Sequence, residues 1–206
     1  MAAKEIYTEY MGFDSLYAAE ITADTADAFT TGDPFPLAPA GEIKKSTERD
    51  QASRSYDNQT YIIIKSEGDD SVDLVVPVLP LSIESKITGA DYDATTGILS
   101  NDGQPKTKYF AIGYRLLMSD DTYRYVWRLK GTLQQGDEEA KSKEGTDSNN
   151  MTYTYTGVKT IHKFTKTGKG CKDQVADERD DLLDYSKWFK QVVTPDNRDT
   201  LKKVSG

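Results

Sequence analysis

The chain has a single cysteine, Cys171, and a single histidine, His162, in 206 residues. One thiol excludes an intrachain disulfide and any cysteine-based metal cluster; one imidazole excludes two-histidine zinc sites and most catalytic triads. The eight residues between them, KFTKTGKG, are turn-rich. A Cys–His pair would therefore depend on the fold, and a thiol in such a loop reads more simply as a packed or surface residue. No GxSxG segment is present. The GKG at 168–170 lacks the upstream glycine and the Ser/Thr of a phosphate-cradling loop, so it reads as a turn. Asp69, Asp70 and Asp73, and the acidic set from Asp177 to Asp184, lack the alternating ligands and closing glutamate of a calcium loop. They read as a turn and a helix cap. Carboxylates are plentiful enough for glycoside cleavage, but no spacing selects a pair. The sequence thus predicts no catalytic, metal or cofactor site.

Long apolar runs are missing too. Nothing approaches the ~20 continuous apolar residues of a membrane helix. The opening MAAKEIYTEYMGF has no apolar export core, which predicts synthesis in a cytoplasm and no membrane partner. Positive charge is also short: Lys and Arg number 26 against 34 Asp and Glu, for a net charge of −8. That balance opposes gripping nucleic acid through its phosphates, which needs clustered cations. It suits a wall that DNA passes without sticking, and equally an ordinary soluble surface. With 36% hydrophobic residues the chain is lean. Such a balance fits a thin β-sandwich with long polar loops, or a subunit completed by assembly.

What is present is alternation. In 107–134, TKYFAIGYRLLMSDDTYRYVWRLKGTLQ, two apolar runs meet at a turn formed by Ser119, Asp120 and Asp121. Successive strand side chains face opposite sides, so Tyr123, Tyr125, Trp127 and Leu129 share one face while Arg124, Val126, Arg128 and Lys130 share the other. This predicts a hairpin with an aromatic core face and a solvated, basic-edged face; base stacking by YRYVWR is disfavoured by the net charge.

Elsewhere the sequence predicts an N-terminal arm over 1–12, a first strand at 13–22, and an extended proline-rich loop at 30–41. Residues 42–56 are polar but β-compatible, with a turn at 56–59. A strand at 61–66 ends in an EGDD turn at 67–70. The run VDLVVPVLPLSI, 72–83, contains Pro77 and Pro80, which cannot donate ladder hydrogen bonds. It therefore reads as an apolar edge strand, and its Val76, Val78 and Leu79 are candidate inter-subunit residues. A short helix at 82–88 would be capped by Ser82 and stopped by Gly89, with loop from 89 to 106. Residues 134–150, QQGDEEAKSKEGTDSNN, form a long polar loop. It is either a solvated loop or a segment ordering against a neighbouring subunit, with Gly136, Asp137, Glu138, Glu139, Lys141, Lys143 and Glu144 as candidate contacts. A strand follows from Met151. Residues 177–193 carry helical spacing at Leu182, Leu183, Ser186, Phe189, Lys190 and Val193, which predicts a C-terminal α-helix packed on the sheet. Asp177 would cap it and Thr194 with Pro195 would stop it; the tail from Asp196 is polar and predicted mobile. The fold class predicted is all-β: an antiparallel sandwich with one C-terminal helix, its domain spanning 13–195.

Several of these phrases, in order, carry a resemblance. GFDSLYAAEIT, RSYDNQ, AIGYR, YRYVWRLKG, the acidic-basic loop, TYTYTG, and WF followed by V run from about Gly12 to Val193. The ordered set resembles the major tail proteins of long-tailed bacteriophages, of the phi13-like group. Each phrase alone is a common strand or turn, and the loops depart from the pattern. The resemblance implies a structural virion protein whose subunits form hexameric rings, stacked into a tail tube through which DNA is ejected. It implies as partners further copies of the chain, tape measure, tail tip and terminator proteins, and DNA passing without specific binding. The matching stretches are scaffold, so no functional residue is carried over from the family. A carbohydrate- or receptor-binding β-sandwich is the competing reading, and a β-rich hydrolase a further one.

Overall fold

The computed structural model describes residues 7–39, 41–56, 59–104, 106–137 and 150–203. Eleven strands are present among them: β1 Tyr10–Asp24, β2 Phe29–Thr31, β3 Phe35–Ala38, β4 Glu42–Tyr56, β5 Gln59–Val76, β6 Asp91–Asp93, β7 Ile98–Ser100, β8 Phe110–Met118, β9 Tyr123–Gln135, β10 Met151–Gly157 and β11 Asp173–Asp177. One α-helix, α1 Leu81–Thr88, lies between β5 and β6. The class is all-β, built on one curled antiparallel sheet.

The sheet runs β2, β1, β8, β9, β10, β5, β4, with β3 added to β1 and β11 to β9. Its centre is the expected hairpin: β8 and β9 pair through Ile112 with Arg128, Tyr114 with Val126 and Leu117 with Tyr123, around a turn in which Asp121 takes a positive φ of 60°. Strand β9 is long enough to hold two partners along one edge. Residues 124–128 pair with β11 and 131–135 with β10. A pocket lined by Tyr10 and Phe13 of β1 and by Glu42 and Ile43 of β4 shows how strongly the sheet curls. Those strands are five places apart, which in a flat sheet would separate them by roughly 24 Å.

Strand parity sorts the apolar residues into two clusters. Leu16, Val72, Leu74, Phe110, Ile112, Tyr114, Val126, Tyr153 and Tyr155 pack together with Leu79 and with Ile87 of α1. The second cluster gathers Tyr125, Trp127 and Leu129 with Phe164, Trp188, Val192, Val193 and Leu201 from the C-terminal segment. The aromatic face of the hairpin is thus covered by residues 158–203. Trp127 donates its indole N–H to the carbonyl of Trp188 at 3.0 Å, and Tyr125 stacks on Tyr185 at a 4.5 Å centroid separation.

Several expectations are corrected. No α-helix forms over 177–193. That stretch is the end of β11, 3₁₀ turns at Glu178–Asp180 and Tyr185–Lys187, and irregular chain. The aspartates act as turn formers: Asp181 takes a left-handed φ of 52°, and Asp184 accepts from the Ser186 amide. Leu182, on the anticipated apolar stripe, is exposed, while Trp188, Val192 and Val193 are buried. A wide aromatic sheet face is better covered by an unrolled chain that presents consecutive side chains than by one helical stripe. The tail is docked as well, since Leu201 is fully buried and its carbonyl accepts from the Asp184 amide.

The EGDD segment is not a turn, because β5 runs straight through it. Nor is 72–75 an edge: it pairs with β10 on one side and with β4 on the other. The strand ends at Val76, where Pro77 removes the next donor. Extended chain at 30–41 contributes β2 and β3, and the 89–106 stretch contains the small β6–β7 hairpin. Helix α1 forms and stops at Gly89 in the left-handed region, φ 73°, as expected. Its N-terminal cap position is Pro80, and no side chain caps it.

Candidate assembly interface

Strands β4 and β5 form a hairpin far longer than the sheet that holds it. Strand β5 contacts β10 only from Asp70 to Val76. Beyond Asp70 it pairs with β4 alone, from Arg49 opposite Glu67 out to Tyr56 opposite Gln59. The eight residues 49–56 therefore carry a two-stranded arm ~26 Å past the sheet. Residues 49–54 and 63–67 are all exposed, whichever face they point to. Ile63 and Ile64, neighbours on opposite faces, are 55% and 54% exposed.

The foot of the arm is clamped by buried charge. Asp70, where β5 loses its second partner, accepts the Thr47 hydroxyl at 2.8 Å and lies 3.2 Å from Nη1 of Arg128 and 3.3 Å from Nζ of Lys45. Lys172, reaching in from the C-terminal segment, sits 3.7 Å from Asp70, pairs with Glu67 at 3.1 Å and donates to the Gly68 carbonyl. Burial raises the Asp70 pKa, but the Thr47 hydroxyl and the cations Lys45, Arg128 and Lys172 outweigh it and hold the carboxyl below its ordinary value. Arg128 also donates to Asp173 at 2.5 Å and to the Tyr114 hydroxyl. Burial works against this cation, yet the Tyr114 hydroxyl, Asp173 and Asp70 raise its pKa.

The solvated basic face is accordingly corrected: Arg128 and Lys130 are each only 7% exposed. Alternation assigned their side of the sheet, but not the acids that meet them there. Those acids, Asp70, Asp173 and Asp24, are distant in sequence, so no local pattern announces the network.

The other candidates scatter. Val76 and Leu79 are buried in the first core cluster, whereas Val78 is 69% exposed. Gly136 and Asp137 are exposed just past the end of β9, and the Gly136 amide bonds the Thr152 carbonyl, so the 138–149 segment joins two adjacent strands. Glu138, Glu139, Lys141, Lys143 and Glu144 lie outside the described residues. The arm was missed as a unit. Its polar flank 42–56 and its apolar run 61–66 were legible as strands, but the mistaken turn at 67–70 cut them from the sheet.

Cys171 and His162 do not bond each other. The thiol meets the Asp173 carbonyl and the Gln174 amide, and the imidazole Nδ1 faces the Ala26 carbonyl at 3.2 Å. GKG is a turn, with Gly168 at φ 65°. Among the described residues no group of three or more His, Cys, Asp or Glu is placed to hold a metal ion. No helix among them is long and apolar enough to cross a membrane. Compared with known protein families and with curated proteins, the chain matches none.

Proposed function

We propose that the chain is a major tail-tube subunit of a long-tailed bacteriophage, a structural virion protein that assembles as hexameric rings stacked into a conduit for DNA. The observation that supports this reading is the arm. An isolated two-stranded ribbon is marginal in water. Here one carries bare side chains on both faces, two adjacent isoleucines among them. A ribbon of this kind is completed by a neighbouring subunit, and its exposed apolar pair is a liability in a protein that stays alone. The ordered resemblance from Gly12 to Val193 supplies the identity of the assembly, and in that setting the curled sheet is the subunit's tail-tube sandwich and its share of the tube wall.

The mechanism is mechanical and electrostatic, with no chemical step. Excess negative charge on the tube wall repels phosphate and leaves no counterion release to drive binding, so DNA slides through. The other partners are the tape measure, tail tip and terminator proteins, and the product resides in the virion tail after synthesis in the host bacterial cytoplasm.

Negative-stain electron microscopy with light scattering on the purified protein, alone and with tail-initiator proteins, tests the proposal. Rings or hollow tubes are expected. A uniform small particle in both samples would overturn it and favour a binding module.

A further inference from the structure

One surface of the molecule is apolar, concave and free of charge. A pocket of about 450 Å³ is walled by residues 15–17, 36–39 and 77–80 together with Ile83, and none of these is charged. In a chain that is 29% charged this neutrality stands out, and each of the other main pockets is lined by ionic side chains. Four of its wall residues are Pro36, Pro39, Pro77 and Pro80, whose fixed φ keeps the rim in one shape and whose missing N–H leaves no donor to satisfy. Leu37 and Leu79 floor it from the core, and Val78 stands exposed on its rim. A preformed rim costs little conformational entropy on binding.

We propose that this proline-rimmed pocket receives an isoleucine of the β4–β5 arm from a second copy of the chain; the inference rests on the tube reading and names the contact through which the arm assembles. Three observations commit the occupant. The pocket is neutral and takes an apolar, uncharged group. Residues 61–64 of the arm, Tyr-Ile-Ile-Ile, are its apolar run, closed by Lys65, and Ile63 and Ile64 are exposed. Opposite Ala52 and Ser53, the two isoleucines stand about halfway along the arm, roughly 10–13 Å past its foot, so they can meet a pocket on another molecule clear of their own sheet.

Knob and socket are different patches of one surface, so the contact can run head-to-tail, as the ring reading requires; a reciprocal exchange of arms would instead close a two-fold dimer. Head-to-tail contacts propagate into rings or filaments. Because Ile63 and Ile64 face opposite sides, one enters the pocket and the other remains to be covered by the rest of the neighbour.

The test uses the full-length chain in a Cys171→Ser background. Ile63→Cys and Ile64→Cys subunits are each mixed with Val78→Cys subunits, assembled and mildly oxidised. The expected result is a disulfide between unlike copies for one arm position only, in tubes seen by electron microscopy. In parallel, Val78→Asp is expected to abolish assembly while leaving the circular dichroism spectrum of the free subunit unchanged. Tubes that form without any arm-to-pocket crosslink, or that tolerate Val78→Asp, would overturn the pocket assignment and leave the tube reading standing. Absence of assembly by the unmodified chain, even with initiator proteins, would overturn both.

Discussion

Nζ of Lys130 lies 2.6 Å from Oδ2 of Asp24, with both side chains almost wholly buried. The same carboxylate accepts the amides of Ile161 and His162 at 2.9 Å each. One acid at the end of β1 thereby anchors both β9 and the start of the C-terminal segment that covers the aromatic face. Asp24→Ala leaves a buried ammonium without its partner, which costs about 3–5 kcal/mol. Urea unfolding should show that loss. The double variant Asp24→Ala with Lys130→Met should recover part of it, because the stranded charge is gone.

Acid should weaken the fold in a defined window. Asp24, Asp70 and Asp177 all have folded-state pKa values below their ordinary value. For Asp24 and Asp70 burial pulls upward but is outweighed by Lys130 and two amides in one case and by Thr47 and three cations in the other; for Asp177 the Arg124 hydrogen bond leads. Groups depressed in the folded state contribute fully above the unfolded value of ~3.9 and lose that contribution as pH falls through the folded one. Stability measured by denaturant should be level from neutrality to about pH 5 and then decline. Asp70→Asn should cost most at neutral pH, with the gap to the parent protein closing in acid.

Gly113 allows the aromatic face to close. A Cβ there would sit 2.9 Å from three atoms of the Trp127 ring. Gly113→Ala should displace the indole and destabilise by about 1–3 kcal/mol, as overpacking does. A shifted tryptophan emission maximum with a lowered unfolding midpoint checks this.

The arm should be separable from the fold. Ile63→Asp with Ile64→Asp touches no core contact, so the monomer's stability should move by less than about 0.5 kcal/mol. Polymerisation followed by light scattering should be lost. Unchanged tubes would remove the arm from assembly.

Replacing residues 138–149 with a tight turn should preserve the subunit, since Gly136 and Thr152 already bring β9 and β10 together. A melting temperature close to the parent's is the expected outcome. If that loop bridges successive rings, the same variant forms single rings and no long tubes.

Legibility followed the range of the forces involved. The β8–β9 hairpin was plain because parity and the turn at Asp120 are local, and α1 was plain because Gly89 ends it. The segment holding Trp188 and Val193 was misread because its helical spacing is coincidental. What fixes it is the aromatic surface of Tyr125 and Trp127, about sixty residues away in sequence. Burial of Arg128 was illegible for the same reason, as its acids come from β5 and β11. Of the proposed interface, Val78 was identified for its apolar neighbours. The arm escaped notice because a polar strand looks like surface until its length is compared with that of its partners.

Strand β5 belongs at once to the projecting arm and to the middle of the sheet, without a break from Gln59 to Val76. Ladder hydrogen bonds run perpendicular to their strands, so a tug along the arm, which draws β4 and β5 together, loads those between β5 and β10 sideways and all at once. Seven consecutive residue pairs tie β5 to β10, and Asp70 stands at the first of them, where the strain would arrive. A connection of this form resists like a lap joint and not like a zipper. A tube held together by such arms would stretch as one body under tension, its weakest points lying between subunits and not within them.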